Sequence, residues 1–251
     1  MLEAAIQSRP GQAGSDLDGQ CAALIRNYGH LCGQDLLAAL LGPGGRLHGR
    51  TALVSSFGAE SVVLLHMAAS VDPGIPVIFL DTLAHFPATL AYRALLIEQL
   101  GLRDVRNATP DLRMLGRLDP RGDLHASDPD VCCHFRKTEP LDQALEGFAA
   151  WITGRKRFQG GQRQGLPTFE VEQGTGRLKI NPLAQWGADD LEAYRQSHGL
   201  PAHPLVDQGY RSIGCAPCTR PVRAGEDPRA GRWAGTGKTE CGIHVSHGGG
   251  I

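Results

Sequence analysis

Apolar residues recur at helical spacing from Cys21 to Leu41, and GPGG at residues 42–45 stops that run. TALVSSF (51–57) is a short apolar stretch rich in strand formers. It leads through GAE into SVVLLHMAA, which reads as a buried helix. PVIFLD (76–81) is a second buried strand. FPATLAYRALLIEQLG (86–101) has proline at its start and glycine at its end, the asymmetry expected of a helix. DVRNAT (104–109), AAWITG (149–154) and GRLKINPL (176–183) complete the predicted strands; residues 138–149 and 188–199 complete the predicted helices. Strands alternating with helices imply right-handed crossovers and an α/β fold, with a mostly parallel sheet covered by helices on both faces.

The periodicity ends after Pro217. The Gly-, Pro- and Arg-rich segment beyond it has little to bury, so it reads as either disordered or a lid that orders over a ligand. The chain thus divides into a lead-in at 1–20, expected to be disordered, one α/β domain at 21–218, and a mobile tail at 219–251. A hydrophobic content of 41% and a charged content of 20% fit a soluble globular protein with a real core. The net charge of −1 gives no overall attraction to nucleic acid or membrane. No apolar run approaches the roughly 18 residues of a membrane span, and the N-terminus lacks the basic-then-apolar order of a signal peptide. Seven cysteines, an odd number, argue against a disulfide framework and for a reducing compartment, so a cytoplasmic location is expected. Cys21 and Cys32 fall in the apolar helical region and read as buried structural residues.

Ser55, Ser56, Phe57, Gly58, Ala59, Glu60 and Ser61 lie between a strand and a helix, the geometry of an anion site built from backbone N–H groups and a helix N-terminus. The loop lacks the G-K-[ST] ending of a Walker A motif, and a plain strand–helix turn reads equally well. Asp81, at the end of the second strand, could accept hydrogen bonds from a nucleotide or merely cap the turn before Phe86. Cys132–Cys133 and Cys215–Ala216–Pro217–Cys218 present four thiols in two pairs. Adjacent side chains diverge by roughly 100° on an ideal helix, and zinc sites take C-x2-4-C pairs. An iron–sulfur cluster therefore ranks above zinc, with a redox dithiol and four unrelated buried cysteines behind. Cys241 stands alone, expected to be exposed, among five cations (Arg220, Arg223, Arg229, Arg232, Lys238) and three anions in residues 219–241. An exposed thiolate near positive charge is a nucleophile, and guanidiniums spaced in this way suit phosphate or sulfate. Further cations follow the adjacent cysteines at HFRK (134–137) and a strand at GRKR (154–157).

SSFGAES, LDTLAHFPAT, CCHFRKTEPL, WITGRKR, INPLAQW, GYRSIGCAPCTRPVRAGEDPRAGRW and ECGIH together resemble the assimilatory adenylyl-sulfate reductases, from about residue 51 to His244. The resemblance implies an adenine nucleotide α-hydrolase-like, Rossmann-like fold with a flexible C-terminal tail. It implies a 4Fe-4S cluster on Cys132, Cys133, Cys215 and Cys218, and Cys241 as the nucleophile. Substrate contacts would come from Ser55–Glu60, Asp81, Thr82, Lys137, Arg155, Arg157, Arg229, Arg232 and His244. Which of Arg155 and Arg157 faces the phosphate stays open. The implied reaction turns adenosine 5′-phosphosulfate into sulfite and AMP through an S-sulfocysteine that thioredoxin or glutaredoxin resolves. All four paired cysteines favour that substrate over its 3′-phosphorylated analogue. Leu83 departs from the glycine usual after LDT. The alternatives are the 3′-phosphorylated substrate and a pyrophosphate-loop tRNA thiolation enzyme. A zinc-binding interaction module is a rival of another class. The residues do not fix the oligomeric state, and a homo-oligomer stays open.

Overall fold

The computed structural model describes residues 10–172 and 175–244. Its centre is a six-stranded sheet formed by β1 (Thr51–Ser55), β2 (Val77–Leu80), β3 (Val105–Ala108), β4 (Ala150–Ile152), β5 (Phe169–Glu172) and β6 (Arg177–Ile180). The strands run in the order β3-β2-β1-β4-β6-β5. Every pairing is parallel except β5 with β6, so the sheet is mostly parallel, as expected. β5 has no counterpart among the predicted strands. It is a four-residue antiparallel edge, half-buried after Phe169, and such an edge leaves no continuous apolar run to read.

Side-chain alternation along the strands builds two cores. Leu53, Val77, Phe79, Ile152 and Ile180 face one side and meet α2 (Gly33–Leu41), α3 (Ser61–Val71), α4 (Pro87–Gln99) and α9 (Ala188–Ser197). Ala52, Ile78, Leu80 and Trp151 face the other, where Leu141 of α8 (Glu139–Ala144) packs. The predicted single run from Cys21 to Leu41 is two helices, α1 (Pro10–Tyr28) and α2. Gly29 ends α1 by donating to Ile25, and Gly33 takes a φ of 54° that an L side chain rarely adopts. Residues 10–20 are therefore helical rather than a disordered lead-in. Cys21 is buried but Cys32 is exposed, because it lies in this break instead of on a helix face.

Between β3 and β4 the chain forms α5 (Leu112–Leu118), α6 (Leu124–Ser127) and α7 (Pro129–Cys133), none of which the periodicity shows. They are too short for an apolar stripe, but their caps are local. Asp111 accepts from Arg113 and Met114 N–H, and Asp128 accepts from Val131 N–H. A π turn (His134–Thr138) then joins α7 to α8.

The segment after Pro217 folds back onto the domain. Trp233 N–H donates to Cys218 O, Arg220 N–H to Gly231 O, and Thr219 bridges to Arg232. It buries Trp233, Glu240 and Cys241. Residue 218 is thus no boundary for the described chain. The interpretation of VSHGGGI (245–251) lies outside the described residues.

Candidate functional site

The chain leaves β1 for β2 on one side, while β4 lies on β1's other side. Such a reversal opens a crevice beyond the carboxyl ends of the two strands, where open α/β sheets bind ligands. A cleft of about 1300 Å³, counted to its open mouth, lies there. One wall is the loop after β1. Ser55 Oγ accepts from Phe57 N–H (3.1 Å) and Ser61 Oγ accepts from Gly58 N–H (2.9 Å), so the loop folds on its own hydroxyls at the start of α3. Ser55, Ser56, Gly58, Ala59 and Glu60 line the cleft. Phe57 does not. It is fully buried with φ at 48° and meets Phe79 edge-on, so it anchors the loop from behind.

The opposite wall follows β4. Arg155 and Lys156 line the cleft, while Arg157 turns away and donates to Leu166 O (2.8 Å). Of the two arginines left open by the sequence, Arg155 is in the cleft and Arg157 is outside it. Asp81 is also outside. Its carboxylate accepts from Leu83 N–H (3.1 Å) and shapes the turn, and Leu83 takes a positive φ where the resembled family has glycine. Thr82 is buried and lines the cleft, with its hydroxyl 3.3 Å from Cys215 Sγ.

The tail closes the cleft. Arg229, Arg232, Trp233, Glu240, Cys241 and His244 all line it. Cys241 is 9% exposed, not exposed as expected: its backbone N–H donates to Glu240, its carbonyl accepts from His244 N–H, and the following Ile243 is anchored on the core around Trp151. A hydrogen bond from the Cys133 thiol is the largest influence lowering its pKa. Burial opposes this, and Lys137, the Ile243 backbone and Arg232 assist. Lys137 is buried. Desolvation alone would depress its pKa, but the negative charge of the neighbouring sulfurs, the Cys241 thiolate first, raises it.

Arg163 lines the cleft and escaped the sequence reading. Arg163 is buried and donates twice to Glu240 (2.5 and 2.7 Å). It sits in GGQRQG, a stretch with no periodicity to draw attention to it. Burial first, then the neighbouring Arg163, holds the pKa of both Arg155 and Arg229 down at about 10. Lys156 Nζ pairs with Glu60 (2.5 Å). Lys179 of β6 lies 4.6 Å from the Trp151 ring centroid. His244 stacks parallel to that same ring at 6.0 Å. Burial, then Arg155, Arg163, Lys179 and Arg229, keeps His244 neutral, and its Nδ1 is buried without a hydrogen-bond partner.

A second, smaller cavity of about 390 Å³ adjoins the cleft, and all four paired cysteines line it. Cys132 and Cys133 are presented where the helix passes from α to π, an irregularity frequent at functional sites. Arg136 braces the wall by donating to Thr82 O (2.7 Å) and Asp119 (2.6 Å). Lys137 and Cys215 line both cavities. Among the described residues, no three His, Cys, Asp or Glu side chains converge on a position for a single metal ion.

The family model described as phosphoadenosine phosphosulfate reductase domain matches residues 50–221. A protein of Mesorhizobium japonicum named adenosine 5′-phosphosulfate reductase is 48% identical over 94% of this chain and 91% of its own. One of the same name from Chelativorans sp. is 49% identical over 92% and 93%. Among solved structures, the phosphoadenylyl-sulfate reductase of Candida auris superposes with a TM-score of 0.66 at 26% identity, covering 86% of this chain and all of that one. The FMN adenylyltransferase of Candida glabrata, at 13% identity and a TM-score of 0.51 over 88% of this chain and 69% of that one, shares the fold alone.

Proposed function

The chain belongs to the phosphoadenosine phosphosulfate reductase domain family, and from that premise we propose that its cleft reduces adenosine 5′-phosphosulfate to sulfite and AMP. The placement of Cys241 carries this reading: its buried side chain, unlike Cys215, lines only the larger cleft, which is walled by the loop after β1 and by Lys137, Arg155, Arg229 and Arg232. The names of the relatives at 48% and 49% identity favour this substrate over the 3′-phosphorylated one.

In the proposed reaction the phosphate rests at Ser55–Glu60 and α3, where backbone N–H groups and the helix dipole favour an anion. The Cys241 thiolate attacks the sulfur of the sulfate. An S–S bond forms, the S–O bond to the phosphate breaks, and its electron pair leaves with AMP. Arg229, Arg232 and Lys137 offset the charge that develops on the leaving oxygen and on the sulfonate. A thiolate of a thioredoxin- or glutaredoxin-type dithiol then attacks Cys241 Sγ, and sulfite departs with the bonding pair. The partner's second thiol resolves the mixed disulfide. Two electrons thus pass from the dithiol to sulfur, and Cys241 returns as a thiol. With Cys241 9% exposed, a bulky protein dithiol cannot reach it in place, so the tail lifts for this second half.

The paired thiols suit a 4Fe-4S cluster, whose irons are spread in space. All four line one cavity. Cys132, Cys133, Cys215 and Cys218 would hold it. Bound there, it would supply a fixed charge beside Lys137 that tunes the sulfate end of the cleft.

The test is intact-protein mass spectrometry after mixing with adenosine 5′-phosphosulfate and no reductant. A gain of one SO3 group located on Cys241 is expected. The same gain in Cys241→Ser would overturn the assignment.

A further inference from the structure

Glu240 is an acid in a place that chemistry reserves for anionic ligands. Its carboxylate is 7% exposed, lines the cleft, and takes both prongs of the Arg163 guanidinium (2.5 and 2.7 Å). Arg229 Nη2 lies 3.4 Å from the same carboxylate. A bidentate guanidinium with a second one beside it is the geometry that binds phosphate and sulfate, and a carboxylate fits it as the smaller anion. Arg163 is close enough to repel both Arg155 and Arg229. Arg155 has Glu170 as its own partner, which leaves Glu240 to serve the other two.

The carboxylate is wired in two directions. Toward the anion loop, Arg163 donates to Gln159, Gln159 donates to Glu60 (2.8 Å), and Glu60 also holds Lys156 (2.5 Å). Toward the nucleophile, Glu240 Oε1 accepts the backbone N–H of Cys241 at 2.8 Å. An anion taking Arg163 and Arg229 would therefore unseat the group on which the Cys241 backbone hangs.

We propose that Glu240 is a resident counter-ion that the substrate's phosphate or sulfate displaces, and that its displacement positions Cys241 for attack. Glu240 acts through Cys241 and the arginines, so it is a positioning residue. The inference rests on the adenosine phosphosulfate reading, because that substrate supplies the competing oxyanion. The phosphosulfate brings two adjacent singly charged oxyanions against one carboxylate, which offsets two guanidiniums better than a single charge does and makes the exchange favourable on substrate binding.

The experiment measures AMP and inorganic sulfate affinity by calorimetry, and kcat with adenosine phosphosulfate, for wild type, Glu240→Gln and Glu240→Asp. Glu240→Gln removes the competitor, so both anions should bind about tenfold more tightly, the worth of one charge-assisted hydrogen bond, while kcat falls. Glu240→Asp keeps the charge on a shorter arm. Its AMP affinity should stay within about twofold of wild type, since the competing charge is retained, while kcat still falls. It serves alone if Glu240→Gln does not fold. A purely structural Glu240 would weaken anion binding on removal, and unchanged or weaker affinity in Glu240→Gln overturns the proposal. So does a Glu240→Asp variant with wild-type kcat. If the wild type binds AMP no better than UMP, the adenosine reading fails instead, and the sulfate affinities alone then decide the role of Glu240.

Discussion

Replacing Lys179 with methionine should release the C-terminal segment from the cleft. Lys179 is 7% exposed on its side chain, its Nζ lies 4.6 Å from the Trp151 ring centroid, and it donates to Ile243 O at 3.5 Å. Ile243 packs on the core around Trp151, and His244 stacks on the same ring. Lys179 itself reaches the tail only through Ile243 O. A hydrogen bond from a charged donor is worth about 1.5–3 kcal/mol at good geometry. At 3.5 Å this one is long, and loss of the charge relieves repulsion from Arg155, so a net of about 1 kcal/mol remains. That corresponds to a tail that opens roughly 5-fold more often. Methionine preserves the length and apolar contact of the stem, which confines the change to the charge. The assay is the rate of iodoacetamide alkylation of Cys241, read by peptide mass spectrometry at pH 7. That pH lies below the pKa of Lys179, which burial and then Arg155 bring down to about 8. The rate should rise by the same factor as the opening. A rate within about twofold of wild type would mean that the Lys179–Ile243 hydrogen bond does not hold the tail, because a net of about 1 kcal/mol already exceeds that.

Arg155→Ala should raise the KM for adenosine phosphosulfate about 10- to 100-fold, the loss of one charged hydrogen-bonding partner, while Arg157→Ala leaves steady-state kinetics within about twofold, since its guanidinium faces Leu166. Equal effects would contradict the two orientations. His203 is fully buried, its Nδ1 accepting from Leu205 N–H and its Nε2 lying 3.0 Å from Thr89 Oγ1; burial lowers its pKa from 6.5 to about 4. Between those values the unfolded chain binds more protons, so the stabilisation is complete above pH 6.5 and is lost as pH falls toward 4, up to about 3 kcal/mol. The fall in Tm from pH 6.5 to 4 should be shallower in His203→Gln than in wild type; parallel slopes would show that another group controls it. A Cβ at Gly231 would sit 2.2 Å from Arg220 O, so Gly231→Ala should lower stability by about 1–3 kcal/mol and speed Cys241 alkylation, and a wild-type Tm with an unchanged alkylation rate would show that the tail hairpin adapts.

The predicted strands and the longer helices came from residues buried on a regular period, and each of those elements is present. TALVSSF and PVIFLD are buried on both faces of a parallel sheet, so their apolar runs are continuous and legible. Of the helices between Leu112 and Cys133, α5 and α7 start on aspartate caps, which leave only single-residue traces in the sequence. The candidate site divides in the same way. Chemically distinctive residues such as the paired cysteines, Cys241 and the Ser55–Glu60 loop stand out by type and spacing. Arg163, Lys179 and Trp151 do not, because their roles come from what the folded chain places opposite them. Arg163 meets Glu240 across 77 residues, and Lys179 meets Ile243 across 64. The exposed Cys241 expected from composition failed for a related reason. The tail has few apolar residues, so counting them predicts no burial. It docks instead through Arg163–Glu240, through Lys179 on Ile243 O, through His244 on Trp151, and through Arg232 on Ile213 O (3.5 Å). A segment held by ion pairs and ring contacts rather than by a greasy face opens at a lower free-energy cost, since water and incoming anions can replace its partners one at a time. Such a lid suits a nucleophile that must be enclosed for one half of a reaction and exposed for the other.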